Sequence, residues 1–102
     1  MNLTVRERLL IGAFFPKEGN RRDQRVVRDL ARKIVVGPEE KAEIEFVQDK
    51  DGIRWNGEKA KELPLDLNDD ERDFLKRQVN RLDEEEAFNQ DLLALAERIE
   101  AL

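Results

Sequence analysis

A small α+β domain is predicted by three features of this 102-residue chain. Apolar residues recur at helical spacing near both ends. Between them, over residues 44–67, the period drops to two, as in strands. No strand–helix–strand alternation mixes the two kinds of segment, which favours an antiparallel meander. The expected order is α-α-β-β-β-α-α, a single domain over residues 1–102 with a short antiparallel meander packed against helices. A chain of this length can bury one core without staples.

Thr4-Val5-Arg6-Glu7 has the T-x-x-E form of a capping box, which satisfies free N–H groups at a helix start. The helix runs into Leu9-Leu10-Ile11-Gly12-Ala13-Phe14-Phe15, the longest apolar run in the chain, and stops at Pro16. Apolar on every side, this run is expected to form a central, covered helix. A buried strand is the alternative for so short a run, and the cap decides for helix.

Asn20 can cap a second helix, with Asp23 in its first turn. Val26, Val27, Leu30, Ala31 and Ile34 follow helical spacing, and Gly37-Pro38 ends the segment. Pro38-Glu39-Glu40 suits the start of a further short helical turn. Ile44 and Phe46, then Ile53 and Trp55, alternate with polar residues around Asp49-Lys50-Asp51-Gly52, which predicts a hairpin. Leu63, Leu65 and Leu67 suggest a third strand, confined to an edge or bulge by Pro64.

Asn68 and Glu71 open a third long helix, with Phe74, Leu75, Gln78, Val79 and Leu82 on one face. The run Asp83-Glu84-Glu85-Glu86 should end it, because acids oppose the C-terminal dipole. Asn89 caps a last helix with Leu92, Leu95, Ala96, Ile99 and Leu102 on one stripe.

Composition narrows the chemistry. The chain has no His, Cys, Tyr or Ser, and Thr4 is its one hydroxyl side chain. General acid–base catalysis most often uses His, and covalent catalysis usually needs an activated Ser, Cys, Thr or Lys. A non-catalytic protein without cofactors is therefore expected. Without Cys there is neither a disulfide framework nor a thiolate metal site. No stretch approaches the roughly 18 apolar residues of a membrane span, so no membrane partner and a cytoplasmic setting are expected. Net charge is −5, yet residues 1–35 hold nine Lys/Arg against four Asp/Glu, and residues 36–102 hold ten against twenty.

Arg21, Arg25, Arg28 and Arg32 fall within roughly a 60° sector of the second helix at about 100° per residue. This stripe lies opposite Val26, Leu30 and Ile34 and could track phosphates. The plainer reading is a solvated face. Asp66, Asp69, Asp70, Glu71 and Asp73 form an acidic cluster, read as a helix cap in preference to a cation site. Asp49-x-Asp51-Gly52 fails as a calcium loop, because its twelfth position is Ala60. Asp83, Glu84, Glu85 and Glu86 form an acidic knot that either occupies a basic site on a partner or is a solvated loop. Trp55 is an interface anchor if exposed and a core residue if packed on Ile53.

The opening Leu3-Thr4-Val5-Arg6-Glu7-Arg8-Leu9-Leu10, Pro16 and Gly19, and Glu39-Glu40 before Ile44-Glu45-Phe46 resemble a type of small phage or prophage protein. So do Ile53-Arg54-Trp55-Asn56 and the helix with Leu75, Val79 and Leu82. The resemblance implies a virus-related, host-cytoplasmic setting and assigns no functional residues. The expected function is a macromolecular-interaction protein with another protein as partner, among whose forms is an acidic inhibitor or decoy of a host nucleic-acid-handling or defence machine. The alternative is a nucleic-acid binder using the arginine stripe.

Overall fold

Four cap residues set the helices of the computed structural model, which describes residues 1–102. Thr4 opens α1 (Val5–Leu10), Asn20 opens α2 (Arg21–Ile34), Asn68 opens α4 (Asp69–Glu84) and Asn89 opens α5 (Gln90–Glu100). In each case the cap side chain accepts a hydrogen bond from the backbone N–H three residues on. Thr4–Glu7 and Asn68–Glu71 are full capping boxes. The short α3 (Pro38–Glu43) has Pro at its first position.

The class is α+β, as expected, with the main helices and strands in the expected order, the further short helix present at Pro38, and a two-residue strand and a 3₁₀ turn added on either side of α1. The strands do not form one meander. Two separate antiparallel pairs occur instead. β2 (Val47–Asp49) pairs with β3 (Gly52–Arg54) as the expected hairpin. Gly52 stands at φ +121°, and the Asp51 N–H donates to the Asp49 side chain at 2.9 Å. β4 (Leu63–Pro64) pairs instead with β1 (Asn2–Leu3), a strand that has no periodic signal because it is two residues long. The hairpin also starts later than its alternation suggests. Ile44 caps α3, Glu45 turns left-handed at φ +57°, and only then does the chain extend.

The apolar run of residues 9–15 is not covered on every side. After α1 it tightens into a 3₁₀ turn, Ile11–Phe14. Residues i and i+3 eclipse in such a turn, so Ile11 and Phe14 both point inward and are fully buried. Gly12 and Ala13 face solvent, and Leu9 is 40% exposed. Phe15 is half-buried against the core. Leu102 lies past the end of α5 and is exposed, whereas Leu92, Leu95, Ala96 and Ile99 are buried as the stripe predicts.

Two apolar clusters result. The main core joins Leu3, the 3₁₀ turn, Leu30 and Ile34 of α2, and the inner faces of α4 and α5. A smaller cluster of Val5, Val36 and Ile44 carries Phe46, Trp55 and Ala60 and anchors the hairpin. The Leu67–Asn68 entry to α4 is tied to α2 by Lys33, whose Nζ donates to buried Glu71 at 2.6 Å and to the Asp66 carbonyl at 3.2 Å.

Candidate interaction surfaces

Arg21, Arg25, Arg28 and Arg32 all lie on the exposed face of α2. The acidic half of the chain does not neutralise this face. Its contacts go to flanking positions instead, in the pairs Arg22–Asp70, Lys33–Glu71 and Asp23–Arg77. Within the stripe only Arg28 has an acid within reach, its own neighbour Asp29 at 3.4 Å. Arg21, Arg25 and Arg32 enter no ion pair, so three of the four stripe charges are free on a chain of net charge −5.

The acidic knot ends α4 as expected. The helix stops at Glu84, and the Glu86 and Ala87 N–H groups return to the carbonyls of Asp83 and Leu82 at 3.1 and 2.9 Å. This is the Schellman pattern, whose left-handed position is usually Gly. Here it is Glu86, at φ +55°. All four acids are exposed. Glu85 pairs with Arg81 at 3.2 Å, while Asp83, Glu84 and Glu86 make no ion pair.

Trp55 is half-buried and stacks on Phe46, with ring centroids 6.3 Å apart and planes 10° from parallel. Lys41 lies over the other aromatic of the pair, its Nζ 5.2 Å from the Phe46 centroid. The acids near the start of α4 are spread along a helix cap, and no group of three or more is placed to hold a metal ion. Among them Glu71 is buried and occupied by Lys33 and by the Asn68 N–H.

Three groups have shifted ionisation, each through a structural pair. Burial pushes the Glu7 carboxyl up, but the hydrogen bond from Arg98, the Thr4 N–H and the charge of Arg98 together hold it below its ordinary value. Exposed Glu45 is lowered by the Lys59 ammonium and the Asn56 amide, which donate to it at 2.9 and 3.3 Å. The Arg77 guanidinium is raised by its hydrogen bond to Asp23. None of the three lies in a cleft with a nucleophile.

Sequence reasoning did not anticipate a groove between the end of α2 and one face of the hairpin, enclosing about 410 Å³. Leu9, Val35, Phe46 and Ile53 form its apolar surface. Val35 is 64% exposed and Ile53 45%. Arg8 lies at its floor, 5% exposed. One available signal was the surplus of Val35 and Val36, two apolar residues after the last helical position of the α2 stripe.

No helix is long and apolar enough to cross a membrane. Comparison with protein-family models, with curated proteins and with solved structures finds no match to this chain.

Proposed function

We propose that this chain is a non-catalytic, phage-derived interaction protein that binds another protein in the host cytoplasm, as an acidic inhibitor or decoy of a nucleic-acid-handling or defence machine. The observation that carries this reading is Glu86. A residue with a Cβ costs about 1–2 kcal/mol in the left-handed region. Gly would relieve that cost at this helix end, yet the chain has an acid there, completing four consecutive exposed carboxylates. Strained backbone positions cluster at functional sites, and the chain's other left-handed acid, Glu45, is held by Lys59 and Asn56, whereas Glu86 has no ion-pair partner. The missing His, Cys, Ser and Tyr support the non-catalytic part, and the residues that resemble small phage proteins support the setting. The test is affinity capture from the host with the native chain and with a variant carrying Asp83→Asn, Glu84→Gln, Glu85→Gln and Glu86→Gln. A partner lost with the four charges, and eluted by salt, is the expected result. A capture profile identical for both chains would sink the proposal.

A second reading is nucleic-acid binding through Arg21, Arg25, Arg28 and Arg32, favoured by the three of them that have no internal acid partner. It requires a salt-sensitive shift of a labelled duplex or single strand at low ionic strength. Without that shift the stripe is a solvated face.

A further inference from the structure

The groove beside the hairpin has a lopsided charge. Its lining includes Arg8 and Lys41 and not one acid, although the chain has 24 acids against 19 bases. Arg8 is already neutralised by Glu40, so Lys41 is the free charge at the wall. A second tier stands beside it on α2. Arg28 precedes Ala31 by three residues and Arg32 precedes Val35 by three, so each arginine neighbours a groove residue on the helix surface. The apolar part is equally unpartnered, since Leu9, Val35 and Ile53 are among the few large hydrophobic side chains exposed in this chain.

We propose that this groove binds an acidic amphipathic helix of a partner protein. Apolar side chains at i, i+3 or i+4, and i+7 would seat on Leu9, Val35, Phe46 and Ile53. Carboxylates on the flank of that helix would face Lys41, Arg28 and Arg32. An added β-strand fits less well, because β2 and β3 are three residues each and offer little backbone edge. Nucleic acid fits less well too. Its phosphates gain nothing from an apolar floor, and the aromatic faces that would stack on bases are occupied, Phe46 on Trp55. This surface is separate from the acidic knot. Glu71, tied to the C-terminal end of α2, and Glu84 are 13 residues apart on α4, or roughly 20 Å at 1.5 Å per residue.

The test uses the full chain and a displayed library of short helix-forming peptides. Enriched binders should carry Glu or Asp with apolar residues at the stated spacing. A synthetic binder should shift the amide resonances of Leu9, Val35, Phe46 and Ile53. Its affinity should fall about tenfold or more, about 1.4 kcal/mol, in Val35→Glu and in Ile53→Glu. Both side chains are exposed, so both variants should keep the native circular dichroism and melting profile. Arg28→Gln with Arg32→Gln should weaken binding and flatten its salt dependence. Basic or patternless binders, an empty selection, resonance shifts elsewhere, or displacement of the peptide by a short DNA duplex would each overturn the proposal. The variant lacking the four knot charges should bind the peptide normally. Host capture unchanged in that variant, with peptide binding intact, removes the knot reading alone. Capture lost with the four charges, with no peptide bound by the native chain, removes the groove alone.

Discussion

Arg8 and Glu40 meet in a two-pronged ion pair, with N···O distances of 2.5 and 2.9 Å, although 32 residues separate them. The same guanidinium donates to the carbonyls of Ile34 and Val35 at 2.9 and 2.7 Å. One side chain of α1 therefore satisfies the open carbonyls at the end of α2 and fixes the start of α3. It also floors the groove. Arginine suits this role because its planar fork matches a carboxylate and still has donors to spare.

Replacing Arg8 with Ala is expected to destabilise the fold by about 3 kcal/mol, the lower end for breaking a buried pair, because Glu40 retains partial access to water. Glu40→Gln should cost less, about 1.5–3 kcal/mol, since the two carbonyl contacts remain. Arg8→Lys should resemble Ala more than wild type, because an ammonium cannot reach three acceptors in a plane. Urea denaturation midpoints at constant slope would measure all three.

At Glu86 the expectation has the opposite sign. Glu86→Gly should stabilise by about 1 kcal/mol through release of left-handed strain, raising the melting temperature by roughly 4–8 °C for a domain of this size. The same variant should bind the captured partner less well. A stabilised chain with unchanged capture would show that Glu86 contributes nothing to recognition.

The Glu7–Arg98 pair joins α1 to α5, and Arg98 also donates to the Asn2 carbonyl at 2.5 Å. Because the folded-state carboxyl of Glu7 is lowered, the unfolded chain takes up the proton first as pH falls. Its contribution is therefore complete above the ordinary carboxyl value, about 4.3, and is lost as pH falls through the lower folded value. Glu7→Gln keeps the capping geometry and should flatten this part of the stability-versus-pH curve. Denaturant midpoints across an acid series, native against variant, would reveal it.

Charge on α2 should matter little to folding. Replacing Arg21, Arg25, Arg28 and Arg32 by Gln should change stability by about 0.5 kcal/mol or less per site, because three of them have no acid partner. If a duplex binds the native chain, each lost phosphate contact should reduce the salt slope by about 0.9. Melting curves and binding titrations at several salt concentrations separate the two effects.

What could be foreseen divides by sequence distance. The cap residues Thr4, Asn20, Asn68 and Asn89 act on N–H groups three residues away, so local sequence contains the whole cause. The buried faces of α4 and α5 were legible for the same reason. The β1–β4 pair joins Leu3 to Leu63 across two-residue strands, too short for any period to register. Arg8 has the composition of a surface residue, and only the docking of α2 and α3 onto α1 buries it. The groove draws on α1, the end of α2 and the hairpin, so no single stretch announces it. The arginine stripe and acidic knot were legible as patterns, but that Arg21, Arg25 and Arg32, and Asp83, Glu84 and Glu86, enter no ion pair depends on how the helices pack.

The hairpin should open before the rest of the molecule. Every residue of β2 and β3 is exposed, and its anchors are the Phe46–Trp55 stack and the small Val5–Val36–Ile44 cluster. Regions with few buried contacts and solvent-exposed hydrogen bonds open locally at low free-energy cost. Amide exchange in residues 47–54 should therefore be much faster than in the buried face of α4. Trp55→Ala removes a half-buried ring together with an aromatic pair worth about 0.5–1.5 kcal/mol beyond its buried area. It should speed hairpin exchange further while the slowest amides of α4 and α5 change little. Uniform acceleration across both regions would instead mean that the two clusters unfold as one unit. In that case the groove between them would be a rigid feature of the fold.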